Sequence, residues 1–338
     1  MNVKTLLGAV AGMAIGVTAA QADTLSEVKA RGELNCLVNV GVPAWSYTDE
    51  SGEWKGFDVD FCRATAAAIF DDPMKVSFTP VTGKTRFTAL QAAEGDILYR
   101  NTTWTMSRDV DLKLNFAGVN YYDGQGFMIN KNAGINSALE LDGASICIQT
   151  GTTTELNLAD YFRNNNMSYE PVAVESEDES TANYNSGRCD VYTTDASALA
   201  AVRSKLPNPD DHIILPEIIS KEPLGPAVRE GDDAWLNVAS WVLNGLILAE
   251  EYGIDSTNID ELAKGTGNPN IDRMLGTNGN FGETLGLESD WLVQAIRATG
   301  NYAEIFERNI GVNTPVALER GLNASYLNGG IMYAPPIR

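Results

Sequence analysis

The feature that most constrains this chain is the alternation of short β-type runs with helical patterns over its first two thirds. The run 34–40 precedes a helical pattern at 58–70, and 75–80 precedes another at 85–93. Strand-like stretches at 97–100, 126–130, 144–149, 171–174 and 189–193 are interleaved with helical ones at 153–163, 180–186 and 196–205. Parallel strands need a crossover between them, and a helix is the usual one. The pattern therefore predicts an α/β protein with mainly parallel sheets flanked by helices. After about residue 227 the pattern changes to helices separated by loops rich in Gly and Asn. The glycines of 265–286 follow no strand and precede no Lys-Ser/Thr pair, so this stretch is expected to be a loop excursion and not a phosphate cradle.

The N-terminus is set apart from the folded part. Lys4 precedes an apolar, Ala/Gly-rich run, and Ala20-Gln21-Ala22 supplies a small-x-small cleavage pattern before Asp23. Such a segment reads as a cleaved secretory signal over 1–22. Removing it takes away one charged residue, Lys4, so the net charge moves from −21 to −22. An acidic surface of that size repels nucleic acid and anionic lipid. The most apolar later stretch, 234–250, is interrupted by Asn237, Ser240 and Asn244, which favours a buried helix over a membrane span. The length allows one large domain or two moderate ones.

Four cysteines remain, Cys36, Cys62, Cys147 and Cys189, at separations that fit no zinc motif. An even count in an exported chain favours two disulfides, with three pairings open and four buried thiols the alternative. His212, the single histidine, lies in a charged, turn-like stretch and is expected to be exposed. No metal centre or other cofactor is expected.

In open α/β sheets, ligands sit beyond the carboxyl ends of strands, where helix N-termini point outward. Three such places stand out. RNTTWTMSRD (100–109) offers Arg108 among hydroxyls; QTGTTTE (149–155) offers a Thr152/Glu155 capping box behind Gly151; and Thr193-Thr194-Asp195 offers a carboxylate. Taken singly, each reads as an ordinary cap or surface charge. Taken together they complement a zwitterion, with Arg108 and free N–H groups for a carboxylate and Asp195 for an ammonium. The nucleophile-elbow, zincin and Walker motifs are missing, so binding without chemistry is favoured.

GFDVDF (56–61), preceded by PAWSYTD (43–49), resembles the opening of periplasmic solute-binding proteins of family 3, the polar amino-acid class. KTRFTAL (84–90), RNTTWTMSRDVDLK, NYYDGQGFMI, CIQTGTTTELNLADYF and CDVYTTDASALAA narrow the resemblance to the general L-amino-acid-binding components of bacterial ABC importers. ILPEIISKEPLGPAVR, GNYAEIFERN and the closing YAPP extend it over essentially the whole chain after residue 22.

The resemblance implies a two-lobe clamp with a two-strand hinge. Lobe 1 would be 23–122 with 227–338 and lobe 2 would be 123–226, with crossings near Tyr121-Tyr122-Asp123 and Pro223-Leu224-Gly225-Pro226. It implies that Arg108 grips the ligand's α-carboxylate with Thr103 and the backbone near Asn101. Thr152 would reach the same carboxylate from lobe 2, Asp195 would hold the α-ammonium, and Trp45 would pack on the ligand. Arg86 falls where acidic-amino-acid binders place a side-chain reader, or where it only steadies the lobe; Arg100, placed on the strand, receives no ligand role. It also implies disulfides Cys36–Cys62 and Cys147–Cys189. The implied function is a monomeric periplasmic receptor for polar and acidic L-amino acids (glutamate, glutamine, aspartate or a wider range), working with an ABC permease. A cyclohexadienyl-type dehydratase on the same scaffold, with Glu175 or Glu177 as its acid, is the alternative, and a signalling module is a second one.

Overall fold

The computed structural model describes residues 23–338, so the expected signal at 1–22 lies outside the described residues. Two five-stranded sheets form two lobes. The first runs in the order Val76–Val81, Leu34–Asn39, Ile97–Leu98, Ala227–Arg229, Leu114–Phe116. The second runs Glu170–Val174, Ser145–Gln149, Val191–Asp195, Gln125–Asn130, His212–Ile214.

Both sheets are mixed around the parallel block that the alternation predicted. Three strands in each are parallel, as the helical crossovers require. Ala227–Arg229 is antiparallel to both of its neighbours, and Gln125–Asn130 is antiparallel to both of its own. These are the strands that follow the two chain crossings. They enter each sheet against the direction of its parallel block.

Between the lobes, Tyr121–Asp123 and Glu222–Leu224 pair as an antiparallel two-stranded ribbon. Asn323, in the C-terminal segment, completes the free edge of this ribbon. Its side-chain oxygen accepts from Tyr122 N at 2.6 Å and its amide donates to Tyr122 O at 3.1 Å. The same segment is anchored by Arg320, which donates to both oxygens of Glu250 and lies over the rings of Tyr302 and Phe306.

The apolar stretch anticipated at 234–250 is the helix Asp233–Glu251. It buries Trp235, Val238, Val242, Leu246 and Ile247 in the first lobe's core. No helix among the described residues is long and apolar enough to cross a membrane. The Ala-rich helix Phe57–Phe70 packs in the same core and is tied to the first strand by Cys36–Cys62. Cys147–Cys189 joins the second-lobe strand Ser145–Gln149 to the segment entering Val191–Asp195.

Three local expectations need adjusting. The helix expected from 180 begins a turn earlier, at Glu177, because Ser176 and Glu179 form a reciprocal capping box. Residues 265–286 contain two short helices, Pro269–Met274 and Phe281–Thr284. His212 is half-buried rather than exposed, since it begins the strand His212–Ile214 and bonds the Tyr184 hydroxyl through Nδ1 at 2.7 Å.

Candidate functional site

A small polar cavity of about 20 Å³ lies between the lobes. Its walls are Arg86, Arg100, Asn101 and Thr103 from one side, and Gln149, Thr152, Thr153, Thr154, Glu177, Thr194 and Asp195 from the other. All three strand-end places read from the sequence therefore contribute to one site.

The first wall is cationic. Arg86 and Arg100 are each 2% exposed and Arg108 is 6% exposed. None of the three forms an ion pair within 4.0 Å among the described residues. Burial depresses the Arg100 and Arg108 guanidiniums to about 10. It pushes Arg86 well below its ordinary value, with Arg108 and Arg100 adding like-charge repulsion. Crowded, desolvated guanidiniums are stabilised by an anion placed among them.

Arg108 sits in a π-helical turn, Ser107–Asp111, a backbone form often found at functional sites. Its Nη1 donates to Thr103 O at 2.8 Å, and its guanidinium lies 5.0 Å from the centre of the Phe87 ring. It thus stands directly behind Thr103 and is not itself among the cavity-lining residues. The Thr103 hydroxyl donates to Glu222, a hinge carboxylate that also accepts from Thr153, Asn157 and Ser220. Asn101 takes a left-handed conformation, φ 34°, and its N–H donates to Asp58 at 2.8 Å. The amide of Asn101 itself is therefore already committed.

On the opposite wall the expected Thr152/Glu155 capping box does not form. The Thr152 hydroxyl donates to Gln149 O at 2.7 Å, and Glu155 reaches the Gly151 N–H instead. The helix Thr153–Asn164 is left without a side-chain cap at its N-terminus. Its first-turn N–H groups have no intrahelical partners, which leaves an anion-attracting end against the cavity. Asp195 begins the helix Ala196–Arg203 without capping it. It is 6% exposed, and no described group donates to its carboxylate. Burial, then the neighbouring Asp123 and Glu222 charges, raises it well above the ordinary carboxylate range. A cation here would relieve both effects.

The lobes touch directly around this site. Gly83 lies against Thr150 and Thr152, and Gly151 (φ 73°) lies against Gly83 and Lys84, so closely that a Cβ at Gly151 would be 2.9 Å from Lys84 Cα. Arg86 Nη2 reaches Gly151 O at 3.5 Å, and Lys84 meets Glu175 at 3.0 Å on the outer rim.

Arg86, Asn101, Thr103, Thr152 and Asp195 are thus brought together, with Arg108 one residue behind. Trp45 is a correction. It is fully buried in the first lobe's core, edge-on to Phe57 and Tyr121 with ring centres 5.2 Å apart, and is not among the cavity-lining residues. Its loop is pinned inward by Phe57 N donating to Ala44 O and Asp58 N donating to Trp45 O. Gly56 (φ 128°) permits this turn, because a Cβ there would come within 2.3 Å of Trp45 O. Arg100 is the second correction. The strand stops at Leu98, so Arg100 lies in the loop beyond it and lines the cavity. The sequence offered Glu177 only as the acid of the dehydratase alternative, and Glu222 not at all. The extra first turn of helix 177–185 signals the former, but nothing in the spacing around the latter marks it out.

Residues 34–258 match the family model of bacterial extracellular solute-binding proteins, family 3. The chain is 57% identical to the general L-amino acid-binding periplasmic protein AapJ of Rhizobium johnstonii over 342 residues, covering 100% of both chains. It is 54% identical to the glutamate/glutamine/aspartate/asparagine-binding protein BztA of Rhodobacter capsulatus, again over 100% of both. Among solved structures, an ABC transporter/periplasmic binding protein from Brucella ovis with glutathione bound superposes with a TM-score of 0.92. That match is at 59% identity and covers 94% of this chain and 100% of that one. By motif, fold and full-length similarity, the chain belongs to the bacterial extracellular solute-binding proteins of family 3.

Proposed function

We propose that this protein is a periplasmic receptor that closes on a free L-amino acid and delivers it to the permease of an ABC importer. The observation that carries the reading is the charge arrangement of one buried cavity. Two guanidiniums on its wall, Arg86 and Arg100, and a third behind Thr103, Arg108, have no ion-pair partners among the described residues and stand against a buried carboxylate, Asp195, that receives no hydrogen bond from those residues. An α-amino acid supplies both missing partners. Arg108 with the Thr103 region takes the α-carboxylate from one lobe, while the uncapped end of helix 153–164 faces it from the other. Asp195 takes the ammonium.

Closure then follows from electrostatics. A ligand carrying both charges is fully paired only when the two lobes supply partners together, so it favours the closed form by its differential affinity. The moving bodies are 23–122 with 227–338 against 123–226, turning about the ribbon at Tyr121–Asp123 and Glu222–Leu224. The full-length relatives named as glutamate, glutamine, aspartate and asparagine or general L-amino-acid binders support a polar and acidic ligand range. Glutathione carries an α-amino-acid group at its γ-glutamyl end, so it is a second ligand to try, as the Brucella ovis structure suggests.

A dehydratase would need an acid aimed at a leaving group. The full-length relatives are named as binding proteins, which favours transport. The test is a thermal-shift panel of the twenty L-amino acids, their D-forms, glutathione and prephenate on unfolded-and-refolded, ligand-free protein. Stabilisation by several polar L-forms and by no D-form is expected. A protein indifferent to every L-amino acid contradicts the reading.

A further inference from the structure

We infer that Arg100 and Glu177 form a cross-lobe charge pair that reads the far end of the ligand's side chain and sets the choice between an acid and an amide. The inference rests on the amino-acid reading above and deepens it. With Arg108 and Asp195 assigned to the α-groups, the charged residues left on the cavity wall are Arg86, Arg100 and Glu177.

Arg86 and Arg100 differ in what remains to be satisfied. Both terminal nitrogens of Arg86 are engaged, Nη1 with Thr102 Oγ1 at 3.3 Å and Nη2 with Gly151 O at 3.5 Å. Its orphan atom is the inner Nε. Arg100 is the reverse case. Its Nε donates to Val81 O at 3.3 Å, and its terminal Nη2 is buried with no partner. Arg86 is therefore built into the contact between the lobes, while Arg100 presents a free end. Its opposite number is Glu177, 4% exposed, in the first turn of the second lobe's helix 177–185. The Tyr192 hydroxyl donates to one Glu177 oxygen, and no described group donates to the other.

The two charges act differently on the two kinds of ligand. A guanidinium N–H suits a carboxylate or an amide oxygen. A glutamate carboxylate accepts from an amide NH₂ but repels a second carboxylate. Arg100 with Glu177 thus holds an amide on both sides, and holds an acid on one side against repulsion from the other. A site of this kind tolerates glutamate and glutamine together, and its preference is set by the balance of the pair.

The test is calorimetric titration of the ligand-free protein with L-glutamate, L-glutamine and L-alanine. Glu177→Gln, an isosteric change, should raise the glutamate-to-glutamine affinity ratio about tenfold and leave alanine within about twofold. Arg100→Met should weaken glutamate at least tenfold more than alanine. If Arg100→Met fails to fold, Glu177→Gln alone decides. Equal changes for all three ligands, or an unchanged ratio in Glu177→Gln, overturn the pair as a selectivity device while leaving the receptor reading intact. Binding of none of the three by the unsubstituted protein overturns both.

Discussion

Gly83→Ala should weaken every ligand by the same factor without touching any of them. Gly83 lies where the lobes meet, and a Cβ there would stand 3.0 Å from Thr152 Cγ2, 3.2 Å from Thr150 O and 3.5 Å from Gln149 Cδ, all across the cleft. Thr152 cannot swing aside cheaply, because its hydroxyl is bonded to Gln149 O at 2.7 Å. The closed form must therefore open by a few tenths of an ångström. Overpacking of this kind costs about 1–3 kcal/mol. Because the clash exists only when the lobes meet, that cost acts wholly on the closing equilibrium and corresponds to an affinity loss of about 5–150-fold. Gly83 does not have a positive φ, so alanine adds no left-handed strain to the open form. Calorimetry on glutamate, glutamine and alanine should show a common loss, and the ligand-free melting temperature should not move. An unchanged affinity refutes the closure argument, as does an equal fall in ligand-free stability. Gly151→Ala is the informative contrast, since φ 73° adds backbone strain in both forms and should lower ligand-free stability too.

Further outcomes follow from the same geometry. Asp195→Asn should cost about 2–5 kcal/mol of binding by removing the ammonium's partner, yet raise ligand-free stability because a desolvated carboxylate is relieved; melts and titrations of one preparation test both signs. Burial holds Asp58 and Asp123 at about 6, against an ordinary 3.8, and Asp195 is also raised. These carboxyls keep protons in the folded state that the unfolded chain has already lost, so ligand-free stability should fall as pH rises from about 4 to about 7, less steeply in Asp195→Asn. Asn323→Ala should cost about 1–3 kcal/mol, since it leaves the half-buried Tyr122 N–H and C=O without their partner, and denaturant unfolding measures it. Replacing Cys147 and Cys189 together by Ser, which opens a loop closed across a separation of 42, should cost about 3–4 kcal/mol, read from denaturant unfolding of the variant against the unsubstituted protein.

Much of the architecture was legible because periodicity is a local signal. The strand-end rule picked out Thr152 and Asp195, which line one cavity, and Arg108, which stands behind its Thr103 wall. What escaped depends on contacts between distant residues. The mixed pairing comes from the direction in which Gln125–Asn130 and Ala227–Arg229 enter their sheets, which no local pattern encodes. Arg100 was misplaced because the apolar run 97–99 looks like a strand reaching it, whereas pairing ends at Leu98. Thr152 and Glu155 have the spacing of a capping box, but the threonine's hydroxyl finds the Gln149 carbonyl first. Trp45 looks like a ligand-stacking ring in sequence and is drawn into the core by Phe57 and Tyr121.

The most direct test of the account is a crystal structure of the protein with L-glutamate. It should show one molecule between the lobes, its α-carboxylate on Arg108 and the uncapped end of helix 153–164, its ammonium on Asp195 and its side chain toward Arg100. A ligand seated elsewhere, or one whose ammonium avoids Asp195, would contradict it.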